Sequence, residues 1–124
     1  MPSGDHTYEH LTEDITLVSI GYDELDGFAV PPTRQLLADL VNHGRFYLVV
    51  DLTALDYLSS TGLGVLVSVL KRTRAHDGGL ALVLQKRTVL KIFRVTGLIN
   101  AFSIFDTVDR AVEHLGRSVS RTHV

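Results

Sequence analysis

The sequence predicts an α/β fold, a single domain built on a mostly parallel central sheet. Three observations carry that prediction. The runs at 46–52 and 80–84 are apolar and rich in β-branched and aromatic residues, as strands covered on both faces are. Leu36, Leu37, Leu40 and Val41, and later Val108, Ala111, Val112 and Leu115, recur at the spacing of one helical stripe. Strand-like and helix-like segments alternate along the chain, which implies βαβ units with right-handed crossovers.

Each element follows from local chemistry. Ile15–Ile20 alternates well enough to be a strand, and Tyr8–Leu11 is placed to pair with it in an N-terminal hairpin. Pro31 and Pro32 start the first helix, and Gly44 closes it. After the strand at 46–52, a short loop ends in Ser59-Ser60-Thr61-Gly62, and a second helix over Leu63–Leu70 finishes with Lys71, Arg72 and Arg74. Cations there complement the negative end of the helix dipole. Asp77-Gly78-Gly79 turns the chain into the strand at 80–84. Val89, Leu90, Ile92, Phe93 and Val95 suggest a third helix ended by Gly97, and 102–105 a short strand. Thr107 is a cap for a fourth helix, with Gly116 as its expected stop. Residues 1–6 and 117–124 are polar and aperiodic. They are expected to be a flexible N-terminus and a flexible C-terminal tail around a domain at 7–116.

Composition narrows the function. The chain has 124 residues, 45% hydrophobic and 21% charged, enough to bury one core without staples. With no Cys, a disulfide framework, a thiol nucleophile and a cysteine zinc site are excluded. No apolar run approaches the length of a bilayer span and the first ten residues are polar, so a soluble, cytoplasmic protein without a membrane partner is expected. The net charge of −2 hides an asymmetry. Residues 1–56 hold ten acids and two bases, and residues 57–124 hold ten bases and four acids. Net charges of −8 and +6 suggest an acidic and a basic face that would steer a charged protein partner. Overall basicity and aromatic–basic recognition motifs are missing, so no direct nucleic-acid contact is expected.

Catalytic constellations are absent. No Walker A loop, dinucleotide fingerprint or GxSxG elbow can be written around Ser59–Gly64. His6 and His10 would share a helix face, but their stretch reads as strand or loop, so neither is assigned to a metal. Lys86, Arg87, Lys91 and Arg94 read as a solvated face, with a phosphate or partner patch as the alternative. Asp51 and Asp56 have no partner acid, so paired-carboxylate catalysis is not assigned. The expectation is a protein that is not an enzyme and needs no cofactor or metal. What remains is Ser59-Ser60-Thr61-Gly62 at a strand-to-helix transition. One hydroxyl there serves as an N-cap, contributing ~1 kcal/mol. Three exceed that need, and a phosphate beside the positive end of a helix would be tolerated by the fold while obstructing a docked surface.

At this stretch the sequence resembles the anti-sigma factor antagonists of the STAS domain family. The resemblance is carried by Leu48-Val49-Val50-Asp51-Leu52 and by Leu55-Asp56-Tyr57-Leu58-Ser59-Ser60-Thr61-Gly62-Leu63-Gly64-Val65-Leu66. It continues through the segments at 71–79 and 90–98, which are similar to actinobacterial members, and reaches back to Glu24-Leu25-Asp26 and Pro31. It covers roughly residues 15 to 115. The resemblance implies a regulator that binds an anti-sigma factor, often itself a serine/threonine kinase, and so frees a sigma factor. It implies phosphorylation at Thr61, with Ser60 as second choice, reversed by a phosphatase. It also implies that Asp26, Ser59, Ser60, Gly62 and Leu63 lie at the partner surface. Two positions depart from the family pattern. Ser59 stands where Asp is usual, and Asp23 where Gly is usual. The first departure leaves open a scaffold that is not phosphorylated. A small nucleotide- or lipid-binding domain, using the helix N-terminus at Thr61 as an anion site, is the other alternative.

Overall fold

Successive side chains of a strand point to opposite faces, and here that alternation divides the core into two layers. The structure, a computed structural model, describes residues 6–122. The chain runs β1 (Thr7–His10), β2 (Ile15–Ser19), β3 (Glu24–Leu25), α1 (Val30–Asn42), β4 (Tyr47–Asp51) and β5 (Tyr57–Leu58). It continues with α2 (Ser60–Ala75), β6 (Gly79–Val83), α3 (Arg87–Val95), β7 (Ser103–Phe105) and α4 (Val108–Thr122). Five strands form the main sheet in the order β1-β2-β4-β6-β7. Only the β1–β2 hairpin is antiparallel; the β2–β4, β4–β6 and β6–β7 pairs are parallel. The expected α/β fold, its hairpin and its four helices are all present.

From β4, Leu48 and Val50 face one layer, where Leu37, Leu66, Val89 and Phe93 of α1, α2 and α3 pack with Leu80 and Leu82 of β6. Tyr47 and Val49 face the other, where Ala111 and Leu115 of α4 cover Ala81 and Val83. Burial on both faces explains why β4 and β6 read as unbroken apolar runs. Within the sheet the buried polar side chain is Thr16 of β2; its hydroxyl accepts from Arg45 Nε at 2.7 Å and lies 2.9 Å from His10 Nδ1. Arg45 also donates to the Glu13 and Thr12 carbonyls, clamping the hairpin turn. Gly44 and Gly97 adopt φ of +84° and +77°, the left-handed conformation expected where they end helices.

Four expectations need correction. The fourth helix does not stop at Gly116; it runs on to Thr122, so 117–122 are not a free tail. Val119 prolongs the apolar stripe of Val112 and Leu115 onto the sheet, and that burial outweighs the ~1 kcal/mol helix cost of a glycine. His6, assigned to the flexible N-terminus, is held in place. Gly21 N–H donates to its Nδ1 at 3.2 Å, which leaves the proton on Nε2 to reach Thr33 Oγ1 at 2.7 Å. The remaining residues at 1–5 and 123–124 lie outside the described part. Val95 is 75% exposed and does not join the core face of α3. Finally, β3 and β5 form a second, two-stranded parallel sheet with Glu24 opposite Tyr57 and Leu25 opposite Leu58. Two residues are too few for periodicity to reveal a strand, yet this pair positions the site.

Candidate functional site

Leu25 and Leu58 are apolar residues inside polar loops, and both are fully buried. Their pairing brings the acidic segment 23–26 against the turn that enters α2. Asp56 N–H and Tyr57 N–H both donate to the Asp23 carbonyl, at 2.6 and 3.2 Å. Ser59 completes the junction. Its N–H and its hydroxyl donate to the Leu25 carbonyl at 2.9 and 2.8 Å, and its Oγ accepts from Gly62 N–H at 3.0 Å. Ser59 is thus both the N-cap of α2 and the tie between two loops. A Cβ on Gly62 would stand 2.7 Å from the Leu25 carbonyl oxygen, so the close approach of the loops requires glycine there.

The next two hydroxyls have no such duty. Ser60 and Thr61 are exposed in the first turn of α2, where no acidic side chain offsets the helix dipole. Asp26 lies half-buried before α1. Its Oδ1 accepts from Phe28 N–H at 3.2 Å and its carbonyl from Val30 N–H at 2.8 Å. It shapes the turn that leaves Phe28 84% exposed. Gly62 and Leu63, by contrast, are buried and support the turn from inside. The resemblance puts both at the partner surface, yet in the chain on its own neither is exposed: Gly62 has no side chain and Leu63 is 6% exposed.

The carboxylates and the basic cluster are also accounted for. Asp51 Oδ1 accepts from Thr53 N–H at 2.9 Å, holding the turn after β4. Asp56 pairs with Lys86 at 2.5 Å, while Arg87, Lys91 and Arg94 stand exposed on α3. The acidic segment 23–26 and basic α3 both border β5, so acids and bases lie near one another at the site.

A junction of this kind, with hydroxyls at the head of a helix that follows a buried parallel strand, can be compared with known proteins. The family model of the STAS domain matches residues 10–111. The chain belongs to the STAS domain family. An anti-sigma-B factor antagonist from Staphylococcus epidermidis is 31% identical over 69% of this chain and 79% of its own length. That from Listeria monocytogenes is 30% identical over 77% of this chain and 82% of its own. The crystal structure of an anti-sigma factor antagonist from Mycobacterium paratuberculosis superposes with a TM-score of 0.75, covering 91% of this chain and 96% of that one at 24% identity. Within this STAS domain, the β3–β5 pair and the Leu25 carbonyl are the site features that motif reading misses. An apolar Leu25 between acidic Glu24 and Asp26 is the one hint of them that the sequence carries, and it is too short to form a pattern.

Proposed function

We propose that this protein is an anti-sigma factor antagonist. It binds an anti-sigma factor through the surface around the head of α2, which releases a sigma factor, and phosphorylation of Thr61 ends that binding. The observation that carries this reading is the unequal use of three adjacent hydroxyls. Ser59 is consumed by the fold, whereas Thr61 is exposed and can be modified without breaking a structural bond. The surroundings support a docking role. Phe28, just after β3, and Tyr57, in β5, stand 84% and 49% exposed, and interface centres are enriched in such aromatics. The named antagonists among the relatives support the identity of the partner.

In the proposed switch, the anti-sigma factor is a serine/threonine kinase that moves the γ-phosphoryl of ATP to Thr61 Oγ1, leaving ADP. The hydroxyl proton passes to a base of the kinase, and a phosphatase restores the hydroxyl by hydrolysis. The protein itself catalyses nothing in this cycle, needs no cofactor and works in the cytoplasm. The test is to incubate the protein with ATP and the anti-sigma factor that co-purifies with it. Mass spectrometry should show one added phosphate, absent from Thr61→Ala. Modification of Thr61→Ala to the same extent would exclude Thr61 as the acceptor, with Ser60 the next candidate. Tight binding with no phosphate transfer would leave a constitutive scaffold.

A further inference from the structure

Thr61 also opens onto a groove of about 430 Å³ between α1 and α2, lined by Arg34, Ala38, Gly64, Ser68 and Arg72 among others. The two helices run parallel, since β3 leads into one and β5 into the other. Arg72 donates to Asn42 Oδ1 at 2.5 Å, a bridge between the C-terminal halves of α1 and α2. Ala38 and Ser68 stand one turn back from that bridge and Arg34 and Gly64 two turns back, and all four line the groove. Thr61 is one turn further, about 4.5 Å along the axis. Helical side chains tend to lean toward the N-terminus, which from Arg34 is the direction of Thr61, and an arginine stem is long enough to span that turn. Nothing lies within 4 Å of the space a Cβ on Gly64 would fill, which leaves that path open. Arg34 has no acidic partner among the described residues, and no carboxylate lines the groove.

We propose that Arg34 is the receptor for the phosphate on Thr61. The guanidinium reaches over Gly64 and forms charge-assisted, bidentate hydrogen bonds with the phosphate oxygens. The modified residue is thereby tied to α1, and the mouth of the groove closes. This inference rests on Thr61 as the phosphoacceptor. It adds that the modified state has a fixed geometry, with its dianion drawn toward α1 instead of waving in solvent.

The experiment uses the full chain carrying phosphothreonine at position 61, installed by genetic encoding so that no kinase is needed. A ³¹P NMR titration reads the second ionisation of the phosphate, normally near 6. A cation in contact favours the dianion, so Arg34→Gln should raise that pKa by about half a unit or more, and Arg34→Lys by less. Arg72→Gln, at the far end of the groove, should leave it unchanged. An unchanged pKa in Arg34→Gln, or an equal shift in Arg72→Gln, overturns the contact. Because the phosphate is installed directly, that result leaves the acceptor reading standing. A wrong acceptor shows itself separately, as Thr61→Ala still taking phosphate.

Discussion

Replacing Ser59 by Ala removes one acceptor and one donor from the junction under α2, and the structure fixes what each is worth. The lost cap to Gly62 N–H costs ~1 kcal/mol. The lost donation to the Leu25 carbonyl costs about another 1 kcal/mol, and no more, because that oxygen keeps the Ser59 N–H at 2.9 Å and is not orphaned. The expected destabilisation is about 2 kcal/mol, or roughly 6–10 °C in Tm for a domain of this size. Ser59→Asp separates the two parts. A carboxylate caps as well as a hydroxyl and gains ~0.3–1 kcal/mol from the dipole of a helix with no acid in its first turn. It cannot donate, however, and an oxygen now held 2.8 Å from the Leu25 carbonyl would have to turn away. Ser59→Asp should therefore fall about 0–0.7 kcal/mol below wild type, between Ser59→Ala and the parent. Urea unfolding followed by far-UV circular dichroism measures both, with the m-value unchanged. Ser59→Ala within about 0.3 kcal/mol of wild type, or Ser59→Asp more stable than wild type, would refute the double role of the hydroxyl.

Other substitutions test neighbouring parts of the account. Gly62→Ala forces a methyl against the Leu25 carbonyl and should cost about 1–3 kcal/mol in the same assay. Gly64→Ala meets open space in a helix interior and should instead stabilise by about 0.5–1 kcal/mol, a difference in sign from its neighbour two residues away. Lys86→Ala should lose less than about 0.5 kcal/mol, because its ion pair with Asp56 is 43% and 64% exposed and screened by water; thermal unfolding in low and high salt checks this. Thr61→Glu should weaken binding to the anti-sigma factor at least about tenfold in calorimetry, with stability kept or raised by up to ~1 kcal/mol through the helix dipole, although one charge imitates a phosphate dianion poorly.

Legibility in the sequence followed element length. β4, β6, α2 and the apolar stripe of α1 are long enough for burial to impose a run or a period, and their positions were evident from Leu48–Asp51, Leu80–Val83 and Leu36–Val41. Thr107 was readable as a cap, and its Oγ1 does accept from Arg110 N–H at 3.2 Å. Gly116 misled because local propensity favours a stop there, whereas Val119 supplies tertiary packing that no local rule contains. β3 and β5 were illegible for a different reason. Their stability comes from each other, across more than thirty residues of chain, and neither has a pattern of its own. The candidate hydroxyls were visible as a motif, but which of them the fold occupies depends on the Leu25 carbonyl, which only the paired strands bring to Ser59.

That occupancy bears on where a switch can be placed. A phosphate on Ser59 would break the cap and the tie to Leu25 together, coupling modification to loss of the fold. A phosphate on Ser60 would share the first turn of α2 without lining the groove against α1. Thr61 satisfies both requirements: its hydroxyl is free of structural bonds, and it borders a second helix through which its state can be sensed. The serine at position 59 then has its own explanation. Where a carboxylate would only cap, a hydroxyl can cap and donate, and so it holds the acidic loop at 23–26 rigidly beside the residue proposed to change charge. A rigid neighbour is what lets a new dianion act on the partner instead of being absorbed by local rearrangement.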